Sequence, residues 1–358
     1  MIQLTNKALI NQQRQTAQLI VRYKHAADAL PSSGFGLSAK VLAAILLMRG
    51  YEAFMYSKRN PYPKTIALLR WQISYLECTR AAYASTASKP TSKLGGYTRE
   101  DCIRANDPFF QYLYKSLWTH FDNQSFRRFV KLVSPRLKMV ARGDLHGWRC
   151  LDVGCGSGAF TIAAAQLGAH CTGIDPAKAH ISFARKAAKR FGAKNIAFNI
   201  GNANQLEFMT GTFDLVICQG VLHHLEEPER ALREICRVLK KGGQLYVGVN
   251  GAGGLYNTLW DSVLHIFAAA SIKETGRILK VFDVSRNSYI NFMDGFFLHY
   301  ERRSLRSLRS LLRSAGFPRA TLLKGSAQHD ISALDFTDDP YFVDKFGAGN
   351  LRMRAERG

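Results

Sequence analysis

Between residues 148 and 249 the chain alternates apolar runs of strand length with segments of helix length, and this rhythm constrains the fold more than any other feature. Residues 149–153 read as a strand, 159–167 as a helix, 170–174 as a strand and 177–191 as a helix. Strands follow at 196–200 and 214–219, then a helix at 229–239 and a strand at 244–249. Strands joined by helix-length crossovers fit one arrangement, a parallel sheet with helices on its faces. A further helix at 305–315, ended by Gly316, and strands at 320–324 and 351–356 bring the count to seven. The expected class is therefore α/β, a doubly wound, mostly parallel, seven-stranded sheet.

The first 105 residues lack period-2 alternation. Leu37, Val41, Ala44, Ile45 and Met48 recur at helical spacing, as do Ile66, Leu69, Ile73 and Leu76, so an all-helical N-terminal extension over 1–105 is expected ahead of a main domain over 106–358. The Ser/Thr/Lys run at 85–96 reads as a linker. Asp107-Pro108 supplies an N-cap and an N1 proline for a helix carrying Phe109, Tyr112, Leu113, Leu117 and Trp118. Residues 1–20 lack the apolar core of a signal peptide. No run of about 18 uninterrupted apolar residues suggests a transmembrane segment: 41–48 is too short, and 255–272 contains Asp261 and His265. Seven scattered cysteines without a CxxC pair argue against a disulfide framework and against a metal site, and point to a reduced, cytoplasmic setting. The net charge of +22 is concentrated in residues 1–146, so a polyanionic partner would meet that part of the chain; a basic surface with no fixed partner explains the excess equally well.

The turn after the first strand, Leu151-Asp152-Val153-Gly154-Cys155-Gly156-Ser157-Gly158, is of the kind that lets backbone amides approach a nucleotide closely. Gly154, Gly156 and Ala159 also satisfy the dinucleotide fingerprint, with Asp175 at ribose distance. Asp152 separates the two readings. A carboxylate there repels a pyrophosphate, whereas it suits S-adenosylmethionine (SAM), which has no phosphate and carries an ammonium and a sulfonium. Asp152 could instead be a structural acid that caps the loop amides.

The motif at 151–158 resembles motif I of the class I SAM-dependent methyltransferases. Phe213-Asp214-Leu215-Val216-Ile217-Cys218-Gln219 followed by Val221-Leu222-His223-His224-Leu225 resembles their fourth-strand signature, and 228–243 the helix and Lys-Gly-Gly turn after it. Together they are similar to the type 11 subfamily, which includes ubiquinone and menaquinone methyltransferases and has a Rossmann-like sheet. The resemblance is dense over 148–250 and implies SAM as cofactor. It also implies that Asp152 and the loop of Gly154, Cys155, Gly156 and Gly158 hold the methionine end. Asp175 would accept both ribose hydroxyls, or else cap the turn at Pro176, and Ile174 and Pro176 would flank the nucleoside. Asn202 stands where the family has an acid, ahead of Ala203; its amide oxygen can still accept from the adenine amino group. Gln219 ends the fourth strand beneath the methyl-transfer position.

Displacement at a sulfonium methyl requires alignment more than a dedicated catalyst, but a hydroxyl acceptor is helped by a base, for which His223, His224 and His299 are the candidates. Each could equally orient a loop. Gln219-Gly220-Val221-Leu222 replaces the Asn/Asp-Pro-Pro-Tyr/Phe motif of enzymes that methylate base amino groups. The expected substrate is a small-molecule or lipid-like acceptor, methylated on oxygen. RNA methylation on ribose or ring carbon, using the basic extension, is the alternative, and a SAM-binding scaffold without catalysis is the third. Arg302, Arg306, Arg309 and Arg313 form a stripe that an exposed helix face explains, and Phe126-Arg127-Arg128-Phe129 mixes aromatic and basic residues as nucleic-acid surfaces and amphipathic helices both do. Residues 251–300, rich in aromatic groups, stand where the family inserts a lid, and suit either an apolar acceptor cavity or a lid core.

Overall fold

A computed structural model describes residues 6–85, 123–268, 270–282, 286–323 and 339–358. The linker expected at 85–96 (all but its first residue) and the helix expected on 109–118 lie outside the described residues. The chain divides into two compact units, one of residues 1–104, 253–298 and 336–347, the other of 105–252, 299–335 and 348–358.

The second unit holds the sheet. Its order is β3-β2-β1-β4-β5-β7-β6, with β1 to β5 parallel and β6 and β7 antiparallel. The strands are β1 (Arg149–Val153), β2 (His170–Asp175), β3 (Ile196–Ile200), β4 (Phe213–Gln219), β5 (Leu239–Asn250), β6 (Arg319–Leu322) and β7 (Asn350–Glu356). The central β1 and β4 are buried along nearly their whole length, as parallel strands covered on both faces must be. One face is covered by helices at Asn123–Ala141, Ala159–Gln166 and Lys178–Arg190; the other by helices at Pro228–Val238 and Leu305–Ser314. The helix at Pro228–Val238 shows why such segments form. Proline stands in its first turn with Glu229, Arg237 lies in its last, and Ala231, Leu232, Ile235 and Val238 make one buried stripe. Crossovers from β1 and β4 run to opposite sides, so the carboxyl ends of these neighbours form the switch point where open α/β sheets bind ligands.

The first unit is helical. It contains α1 (Asn6–Asp28), α2 (Gly34–Met55) and α3 (Tyr62–Ser85), to which α4 to α7 of the second unit succeed in chain order (Asn123–Ala141, Ala159–Gln166, Lys178–Arg190 and Pro228–Val238). It then resumes with α8 (Gly254–Val263), α9 (Ile272–Val281), α10 (Arg286–Phe297) and, after α11 (Leu305–Ser314), α12 (Phe342–Phe346). Helix α2 is 22 residues long and apolar enough by length and composition to cross a membrane, although Lys40 and Arg49 leave it no uninterrupted apolar run of that length. Within the unit, 61% of its apolar window is buried, as in a core helix. Trp260, Phe267, Phe292 and Phe296 pack ring on ring, and the Lys345 ammonium, wholly buried, pairs with Asp339 at 2.7 Å and donates to the Ser57 carbonyl.

Candidate functional site

The glycine turn leaves β1 with Gly154, Gly156 and Gly158 at φ 68°, 50° and 77°. Its amides are pinned to the next strand: Cys155 N–H donates to the Ile174 carbonyl at 2.9 Å, and Gly156 N–H to Asp175 Oδ2 at 3.0 Å. The first two glycines serve different ends. A Cβ on Gly154 would lie 2.3 Å from Val221 Cγ2, whereas a Cβ on Gly156 would meet nothing within 4 Å. Close packing of the loop against the segment after β4 excludes a side chain at Gly154; at Gly156 the loop leaves a cradle that a side chain would fill. The Cys155 thiol points into the core, so that residue offers the loop only its main chain.

Asp152 is buried, and its Oδ2 accepts from the Thr161 hydroxyl of α5 at 2.6 Å. Burial pushes its pKa up to about 7, against the lowering effect of the Thr161 hydrogen bonds and with a smaller push from Asp175. A folded pKa above the unfolded value of 3.8 means that the stability Asp152 lends is complete below that value and is lost as pH rises through about 7. A bound cation reverses the preference, because it favours the carboxylate. SAM should therefore bind about tenfold more tightly at pH 8 than at pH 6, and Asp152→Asn should flatten that slope. Calorimetric titration at both pH values checks this; a wild-type affinity that does not change refutes it.

Asp175, at the end of β2, is tied down on both oxygens. Oδ1 accepts from Ala177 N–H at 2.9 Å and lies 3.1 Å from His180 Nδ1, while Oδ2 holds Gly156. The carboxylate thus caps the turn beyond Pro176 and also sets the position of the glycine loop. These partners take three of its four lone-pair positions and leave one, on Oδ2, for a hydroxyl donor, so the structure has room for one ribose hydroxyl where two were expected. Ile174 turns its side chain into the core and Pro176 is exposed. After β3, the Asn202 side-chain oxygen accepts from Asn204 N–H at 2.9 Å, Ala203 is buried, and the Asn204 Oδ1 is buried without a hydrogen-bond partner.

Gln219 closes β4. Its side chain lies over Gly248 of β5, its register partner, so closely that a Cβ there would come 1.9 Å from Oε1, an atom buried with no hydrogen-bond partner. The next residues turn through a short 3-10 segment, Leu222–His224. Nδ1 of His224 lies 2.8 Å from the His299 carbonyl, and the Glu301 amide donates to the His223 carbonyl at 2.8 Å. Rings of His223 and His224 stand 4.2 Å apart, with Tyr300 at 4.8 and 5.2 Å from them. His223 is buried, its Nδ1 has no partner, and burial, followed by the nearby His224, Arg302 and His299, holds its pKa well below the usual histidine value.

The residues expected to hold SAM or to act as a base therefore lie at the carboxyl ends of β1 to β4 or in the segment hydrogen-bonded to them; the arginine stripe of α11 and the aromatic and basic cluster at 126–129 of α4 lie elsewhere. Those the sequence did not reveal are Thr161, His180, Asn204 and Tyr300. Thr161 and His180 each lie in the first turn of the helix following the acid they contact, a signal that spacing could have given; Tyr300 is linked to the histidines only through the fold. The residues present fit SAM. A buried acid near neutrality suits its cationic methionine end, the Gly156 cradle admits a ligand close to the backbone, Asp175 can take a ribose hydroxyl, and the orphaned amide oxygen of Asn204 can accept from an amino group.

Residues 151–247 match a family described as "Methyltransferase domain", type 11. An uncharacterized methyltransferase of Bacillus subtilis, YcgJ, is 34% identical over 96 residues, which cover 27% of this chain and 38% of that protein. The ubiquinone biosynthesis O-methyltransferase of Pseudomonas aeruginosa is 37% identical over 106 residues, 30% of this chain and 46% of the relative. The chain thus spans less than half the length of these curated relatives. A solved magnesium protoporphyrin IX methyltransferase from Synechocystis, with bound S-adenosylhomocysteine, is 20% identical at a TM-score of 0.42, covering 73% of this chain and 98% of that one. The segment at residues 151–247, which carries the glycine loop and the inner, parallel strands of the sheet, is similar to the methyltransferase domain family of type 11.

Proposed function

We propose that the protein transfers the methyl group of SAM to an oxygen atom of a small-molecule or lipid-like acceptor in the cytoplasm. The observation that carries the oxygen assignment is the fixed tautomer of His224. Only an N–H can sit 2.8 Å from the His299 carbonyl, so the neutral ring bears its proton on Nδ1 and its basic lone pair on Nε2. A hydroxyl acceptor must give up a proton as its oxygen forms the new bond, and Nε2 of His224 is the group assigned to take it. His223, kept neutral by burial, packs its ring against that of His224 and leaves the local charge low before the proton arrives. Bound SAM supplies the activated methyl group. The loop of Gly154, Gly156 and Gly158 together with Asp152 and Asp175 fixes the donor, and Gln219 lines the floor of the transfer position. The name of the Pseudomonas relative supports an oxygen acceptor, and the six described cysteines, all free, suit a reducing compartment.

Incubation of the protein with lysate fractions and methyl-tritiated SAM tests the reading. Label is expected in the lipid or small-molecule fraction; label entering RNA or protein, or no transfer at all, overturns it. His224→Ala should lower kcat by about 100-fold, the scale of a general base, with SAM affinity within twofold of wild type. Undiminished turnover in that variant removes His224 from the chemistry.

A further inference from the structure

Helices α4 and α6 cover the same face of the sheet and together carry ten lysines and arginines with no aspartate or glutamate, so no carboxylate within either helix offsets their charge. The two are locked side by side. The Phe126 ring of α4 contacts Phe183 and Phe191, at 6.2 and 5.0 Å, and the Arg127 guanidinium lies 5.3 Å from the Phe191 centroid. Arg127, Arg128, Lys131 and Lys138 of α4 are exposed, as are Lys186 and Lys189 of α6. Like charges this close on a helix repel one another, and an anionic partner converts that cost into attraction.

The apolar residues on this face indicate which anionic partner fits. Leu132 and Met139 are 41% and 42% exposed, two turns apart and flanked by Arg128, Lys131 and Lys138. Pro135, exposed between them, completes an apolar ridge among cations. The aromatic rings turn the other way: Phe126 is buried, and Phe183 and Phe191 are engaged with it. Single-stranded nucleic acid is held by exposed rings on which bases stack, whereas a lipid interface takes aliphatic side chains between cations at headgroup level. We propose that the outer face of α4, extended by α6, docks on an anionic lipid surface, with Leu132 and Met139 entering below the headgroups. This inference is independent of the acceptor and would stand if methyl transfer failed.

Co-sedimentation of the full chain with vesicles tests it. With phosphatidylcholine vesicles containing about 30% phosphatidylglycerol at about 0.1 M salt, binding should exceed that to pure phosphatidylcholine at least tenfold. The double variant Arg128→Glu, Lys131→Glu should bind the anionic vesicles about 30-fold more weakly, and Leu132→Ser should weaken the binding that survives higher salt about threefold. Retained SAM affinity in these variants, which lie away from the cofactor loop, shows that they are folded. Equal binding to neutral and anionic vesicles overturns the proposal. So does binding to poly(U) RNA that is tighter than to the anionic vesicles and is lost in the same double variant, which would assign the face to nucleic acid.

Discussion

Asp175→Ala should leave a chain that folds but binds SAM weakly. In the proposed reading the free acceptor position of the carboxylate takes a ribose hydroxyl, and a hydrogen bond to a charged group contributes about 1.5–3 kcal/mol, so its loss should weaken the SAM Kd by at least about 10-fold. The same substitution removes the anchor that holds the Gly156 amide at 3.0 Å, loosening the loop that faces the donor. Both effects act in the same direction, and transfer of tritiated methyl should fall with binding. Isothermal titration measures the result directly; a Kd within threefold of wild type would mean that Asp175 serves only the turn, through Ala177 and His180.

The second large effect separates folding from binding within one loop. Gly154→Val places a β-branched residue at φ 68° and brings its Cβ to about the 2.3 Å position beside Val221. Left-handed strain costs about 1–2 kcal/mol for an L-residue, and overpacking adds about 1–3, so the sheet unit should lose roughly 2–5 kcal/mol in urea unfolding. Gly156→Ala carries the strain without the clash, since its Cβ meets nothing within 4 Å. It should cost about 1–2 kcal/mol of stability while SAM binding fails, because the methyl occupies the cradle. Equal stability losses in the two variants would contradict this division of labour.

The mostly parallel sheet was legible because its inner strands are buried on both faces, which writes them as continuous apolar runs such as Leu215 to Cys218. Where pattern and structure part, the cause is identifiable. A strand at 244–249 was expected, yet β5 begins at Leu239, because the chain passes from α7 directly into pairing with Phe213. Lys240, Lys241, Gly242 and Gly243 read as a turn but belong to an irregular strand start, with Gly242 at φ 72° and its amide donating to the Arg357 carbonyl. The acids of the site were legible from spacing around the glycines. Their partners were not, since Thr161 and His180 look like ordinary helix residues until the first turns of α5 and α6 are folded back over the strand ends. The tautomer of His224 is set by a carbonyl 75 residues away, and no local pattern records such a contact.

Gln219 and Gly248 share one volume between two strands. An amide occupying the place where a neighbour's Cβ would stand makes the two positions a single unit of variation: any side chain introduced at 248 evicts Gln219, and a smaller residue at 219 releases room for an alanine at 248. In a library that varies both positions, the functional clones should trade bulk from one strand to the other, with combinations that are large at both positions missing.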